Sequence, residues 1–243
     1  MAASSEAAED RWRRRAERAS DAYGLVLLLV ITTYVLASLL SNRGWPAVVI
    51  TLSTSATAIV ALVSSHVRQT AVRRALVVAI LAIVLAVISA ASGARIWLTI
   101  ASILEIILLG LGMVAVLRRV ATASEVSSRT ILGAISVYAA LGILFTWAYG
   151  AIDKIEGGGF FSGVATARGS DFLFFSYTTL TTTGYGNLVP AGQVGRMVSG
   201  LEMMTGQVFL VTLVAGLVSL WRPGERLLAR REKSSGKRPE LSP

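Results

Sequence analysis

The sequence predicts an all-α membrane protein: six transmembrane helices, with a short re-entrant helix and an irregular loop between the fifth and sixth. Three observations lead there. Of the 243 residues, 54% are hydrophobic and 15% charged, a balance too apolar for a soluble domain. The apolar residues gather in runs near the ~20 needed to cross the hydrocarbon core of a bilayer. The basic residues, which bring the net charge to +9, collect between alternate runs rather than in one patch.

Taken in order, residues 1–21 form a polar arm with Arg11, Arg13, Arg14, Arg15 and Arg18 around Trp12. With no apolar centre, the arm does not read as a cleavable signal peptide. Two readings of it stay open: an amphipathic helix on an anionic membrane surface, or a solvated arm that only sets topology. Four apolar runs follow, at about 22–40, 45–63, 75–91 and 97–117. Asn42-Arg43-Gly44-Trp45-Pro46 is expected to break the first pair, residues 69–74 the second, and Ser92-Gly93 the third. A fifth run spans about 131–149 and leads into a loop containing Gly157-Gly158-Gly159. Residues 172–181 then read as a short helix and 195–220 as a long apolar one, ended by Pro223-Gly224. A basic tail closes the chain.

Counting Lys and Arg orients these runs. Segments 1–21, 64–74, 118–130 and 222–243 hold five, three, three and seven, against five in all the segments on the other side. By the positive-inside rule both termini are expected to be cytoplasmic. Topology thus accounts for the basic charge, and no nucleic-acid partner is expected. The chain has no cysteine, so no disulfide is expected.

Between the fifth and sixth runs stands Thr181-Thr182-Thr183-Gly184-Tyr185-Gly186-Asn187, a poor helix and a poor strand. Glycines at alternate positions permit backbone conformations that residues with a Cβ resist. Such a run can point successive carbonyls toward one axis, and rings of carbonyls can replace the hydration shell of a cation. With a short helix before it and a long one after, this stretch resembles the selectivity filter of tetrameric potassium channels, T-x-G-Y-G. The resemblance covers about residues 131–221 and implies a homotetramer of six-span subunits with a voltage-gated-like architecture. It implies that the carbonyls of Thr182, Thr183, Gly184 and Tyr185 line the potassium sites, that the Thr182 hydroxyl closes the innermost one, and that Gly186 stands at the outer mouth. Gly206 matches the glycine at which the gating helix commonly bends, although a small residue there also lets helices pack closely.

The stretch departs from the family in two places. Asn187 replaces the usual Asp, removing four carboxylates from the outer mouth of a tetramer and bearing on filter stability. Phe174 and Phe175 stand where related pores often place a bracing Trp. Hydroxyls of Tyr177 and Thr178 are candidates to supply that bracing instead.

Two acids fall inside apolar runs, where ionisable groups are costly and are functional candidates. Glu202, four residues before Gly206, is similar to a Glu in small bacterial potassium pores. It is expected to brace the filter from behind, toward pore-helix hydroxyls such as Thr179. Glu105, mid-way along the fourth run, has hydroxyl partners on offer in Thr51, Ser53, Thr54, Ser55 and Thr57. The lone histidine, His66, reads as an ordinary residue at a loop edge. No Gly-rich phosphate loop, metal-ligand cluster or catalytic triad is present, so neither an enzyme nor any cofactor beyond potassium ions is expected. The tail reads as too short for a nucleotide- or calcium-binding domain, so none is expected.

Voltage sensors of the family carry Arg or Lys at every third residue of the fourth span. Here Arg95 is followed at that spacing by Leu98, Ala101 and Leu104, so residues 22–117 are expected to form a four-helix module without gating charge. The expected function is a largely voltage-independent, potassium-selective channel in the plasma membrane. A non-selective cation channel would be expected to alter Tyr185 or Gly186. A pore-loop subunit of a potassium-uptake system would usually keep one glycine in four unequal copies within one chain.

Overall fold

The computed structural model describes residues 23–40, 44–122 and 128–220, all in helices and short connections. The basic arm, Ser41-Asn42-Arg43, residues 123–127 of the 118–130 linker, Pro223-Gly224 and the basic tail lie outside the described residues. The elements are α1 (Tyr23–Leu39), α2 (Trp45–Ser64), α3 (Gln69–Ser92), α4 (Arg95–Ala121), α5 (Ser128–Ile155), α6 (Gly169–Leu180) and α7 (Gln193–Leu220). No strand occurs among the described residues; one isolated bridge joins Phe161 to Pro190.

Length and composition let α2, α3, most of α4 and most of α5 cross a membrane. Their outward faces are apolar, with Leu52, Val77, Ile96, Ile107 and Leu111 all exposed. In water such a surface would be unstable, whereas lipid tails solvate it without cost. Turns fall where backbone chemistry demands. Gly44 and Gly93 take left-handed conformations before α2 and after α3, as a residue without Cβ does most readily. Pro46 sits in the first turn of α2, where its missing N–H costs nothing.

One expected break is corrected. Residues 69–74 do not interrupt the chain but form the first turns of α3, and the connection shrinks to residues 65–68. Arg and Gln are good helix formers, and the long Arg73 and Arg74 side chains remain exposed at the helix end. Polarity there marks the membrane boundary, not the end of the helix. Helix α5 likewise continues past the expected 149 to Ile155.

The larger of two hydrophobic cores runs through α1 to α6. It joins Val26 and Val30 of α1, Ala58 of α2 and Leu108 of α4 to Trp147 of α5 and Leu180 of α6. Helix α1 also reaches the pore segment directly, with Tyr34 packed edge-on against Tyr177 at 5.0 Å. A second, aromatic core of Tyr149, Phe160, Phe161, Phe172 and Phe175 fills the space between α5, α6 and the glycine loop. That loop is closed by Asp153, whose carbonyl accepts from Gly158 and whose carboxylate accepts from the Phe160 N–H.

Candidate functional site: the α6–α7 loop and its buried supports

Helix α6 starts where the Asp171 carboxylate accepts the Arg168 backbone N–H at 2.8 Å, a side chain satisfying one of the unpaired donors of a helix start. Its far end needs partners for its last carbonyls, and the following loop provides them. Thr182 N–H donates to the Thr179 carbonyl at 2.9 Å, and Thr183 and Gly184 both donate to the Thr178 carbonyl at 2.8 and 3.1 Å. The loop is thereby laced onto the end of α6.

Within the loop, φ is positive at Thr182 (57°), Gly184 (53°) and Gly186 (80°) and at neither residue between them. In a ribbon of uniform φ sign successive carbonyls alternate sides; reversing the sign at every second residue turns them toward the same side. Gly184 and Gly186 adopt this backbone freely, whereas Thr182 carries a Cβ and is held there against strain of order 1–3 kcal/mol. Its hydroxyl donates to the Thr181 carbonyl at 2.7 Å, and the Thr181 and Thr183 hydroxyls bond each other at 2.8 Å. Residues 181–187, Asn187 included, are exposed in the chain.

Behind the loop, Glu202 of α7 is fully buried. Its carboxylate accepts from the Tyr149 hydroxyl of α5 and from Ser176 of α6, each at 2.5 Å. Three helices meet on one acid. Thr179, expected as its partner, instead contributes its backbone carbonyl to the loop, and Ser176, three residues earlier on α6, reaches Glu202. The hydroxyls expected to brace the loop also point elsewhere. Tyr177 donates to the Ala139 carbonyl of α5 at 2.7 Å, and Thr178 donates back to Phe175 within α6 at 3.0 Å. The support from the Phe174 position is a stacked ring: Phe174 lies against Tyr185 at 5.7 Å and 14°.

Two glycines permit these approaches. A Cβ on Gly142 of α5 would come within 2.6 Å of the Tyr177 ring, and one on Gly206 of α7 would strike the Leu180 carbonyl. Around Gly206, α7 is an unbroken helix. Past the loop, Ser162 N–H donates to the Val189 carbonyl, Ala191 N–H to the Phe160 carbonyl, and the Arg196 guanidinium to the Pro190 carbonyl. The chain leaving the loop is therefore tied to the aromatic core.

Glu105 is also fully buried, on α4. Of the five hydroxyls on offer from α2, Ser55 bonds it, at 2.6 Å. Ser53 and Thr57 turn toward Thr33 of α1 at 2.7 and 3.4 Å, and Thr54 toward its own helix. The second oxygen of Glu105 and the Thr51 hydroxyl are buried without a hydrogen-bond partner among the described residues. One turn before Glu105, Ser102 accepts from Lys154 at the end of α5 at 3.2 Å. His66 sits in the α2–α3 connection with φ 55°, its ring 3.1 Å from the Ser64 carbonyl.

Residues 130–222 match the family described as "Ion channel". The matched segment is under half of the chain. The match begins near the start of α5 and takes in α6, the loop and all of α7. Neither a curated protein nor a solved structure matches the chain significantly. Sequence reasoning located both acids of the site but missed Ser176, Tyr149 and Gly142 in the matched segment. Only the apposition of α5, α6 and α7 selects them.

Proposed function

We propose that this chain is the subunit of a homotetrameric, potassium-selective channel of the plasma membrane, with six spans, both termini cytoplasmic and little response to voltage. The observation carrying this reading is the alternation of φ sign at Thr182, Gly184 and Gly186, in a loop laced to α6 inside the segment that matches the ion-channel family. One loop cannot surround an ion. Four around a common axis would present rings of carbonyls from Thr182, Thr183, Gly184 and Tyr185 that replace the hydration shell of potassium. The Thr182 hydroxyl, its proton directed to the Thr181 carbonyl, keeps lone pairs free to face an ion at the inner end of the filter. Irregular backbone at membrane depth is tolerated where it lines a water-filled path and is buried in protein. The exposure of 181–187 in one subunit fits a segment whose partners are ions and three further copies.

Purified protein in planar bilayers under mixed potassium and sodium gradients tests the reading. The reversal potential is expected near the potassium equilibrium value, with block by barium. Replacing Tyr185 and Gly186 together is expected to collapse the preference. A wild-type reversal potential tracking sodium equally well would establish a non-selective cation pore instead.

A further inference from the structure

At the end of the four-helix module where α2 stops and α3 starts, a cavity of about 540 Å³ opens between α2, α3 and α4. Its inner wall is apolar, with Leu62 and Leu108 buried and Leu111 exposed toward the surface the helices present to lipid. Its rim is basic: Arg74 of α3 and Arg118 and Arg119 of α4. Among the described residues no Asp or Glu lines it, and neither Arg74 nor Arg118 forms an ion pair with another described residue. Leu111 lies about two helical turns below Arg118 on α4. The cavity thus offers a positive rim, an apolar wall beneath it and lateral access from lipid.

We propose that this cavity binds one anionic phospholipid of the cytoplasmic leaflet, its headgroup held by Arg74, Arg118 and Arg119 and an acyl chain along the wall toward Leu111. Charge complementarity favours that occupant. Basic pockets between transmembrane helices on the cytoplasmic side suit anionic headgroups, at about 1 kcal/mol per Arg near the surface. The volume falls within the range of small-molecule sites, roughly 300–1,000 Å³. The proposal uses the inward orientation of the α2–α3 connection but not ion conduction. A lipid here would bridge α3 and α4, and α4 leads into the segment that matches the ion-channel family.

Native mass spectrometry of the full-length protein, delipidated and titrated with dioleoylphosphatidylglycerol or dioleoylphosphatidylcholine, tests the site without reading any current. The anionic lipid is expected to be retained preferentially. Arg74→Gln and Arg118→Gln should each weaken retention about fivefold, the equivalent of ~1 kcal/mol, while Arg73→Gln, beside the cavity but not lining it, leaves retention unchanged. Ala115→Phe, filling the cavity with every arginine in place, should abolish retention. Should that variant fail to assemble, Leu111→Trp makes the same test from an exposed position. Equal retention of both lipids, full retention with the cavity filled, or displacement of the lipid by millimolar inorganic phosphate would overturn the proposal. So would cross-linking of a photoreactive group at Leu111 to a second copy of the chain.

Discussion

Glu202 concentrates more of the site's organisation than any other side chain, because a buried acceptor with two donors from different helices fixes all three elements at once. Glu202→Gln can retain both contacts. Its carbonyl accepts from Tyr149, and its amide can donate to Ser176, whose own proton is then free for the Gly142 carbonyl 2.8 Å away. Conductance and thermal stability are expected to stay near wild type. Glu202→Val leaves the Tyr149 hydroxyl buried without an acceptor, at about 1–3 kcal/mol, and should lower the melting point of the purified assembly in a size-exclusion assay. Tyr149→Phe removes donor and need together and should fall between the two. Equal melting points for all three variants would remove the brace from the account.

At the scale of elements, α7 passes α6 so closely that Gly206 has no room for a Cβ against the Leu180 carbonyl. A backbone atom cannot swing aside as a side-chain tip can. Gly206→Ala is therefore expected to push α7 outward, reducing both assembly stability and conductance. Gly110→Ala in α4 meets Leu144 at 3.6 Å, an ordinary contact. It should be neutral or stabilising by up to about 1 kcal/mol, since Ala is the better helix former. The pair separates packing from hinging. A hinge that served only flexibility would change open probability in Gly206→Ala and leave its melting point untouched. Gly142→Ala presses on the Tyr177 ring and should loosen α5 from α6 in the same melting assay.

At the scale of the whole molecule, the four-helix module packs onto α5 and α6 of its own chain through the shared core and through Lys154 to Ser102. Steep voltage gating needs about 3–4 charges per subunit moving through the field, each worth roughly 2.3 kcal/mol per 100 mV. On α4 the positions where such charges would follow Arg95 are Leu98 and Ala101, both buried apolar residues, and Leu104. Midway along α4 the ionisable group is Glu105, bonded to Ser55 of α2. Open probability in bilayers is expected to change only weakly between −100 and +100 mV. A curve rising e-fold within a few millivolts would show gating charge residing elsewhere. Glu105→Ala removes the acceptor from Ser55 and opens a void between α2 and α4, so it should destabilise the assembly by about 2 kcal/mol while leaving ion selectivity intact.

The sequence by itself determined whatever depends on local chemistry. Apolar run length located α2 to α5, though not all of their ends, and Gly184 and Gly186 set where the loop could take positive φ. The absence of Arg at every third position of α4 set what the module lacks. Residues 69–74 misled because polarity marks the membrane boundary as readily as the end of a helix. What needed the tertiary structure was every choice among equivalent partners. Five hydroxyls on α2 were available to Glu105, and helix rotation chose Ser55. Ser176 was chosen over Thr179 for Glu202 because they project from α6 at different angles toward α7. The cavity beneath Arg74 and Arg118 could not be read along the chain at all, since its walls come from three helices and its volume is what their packing leaves unfilled.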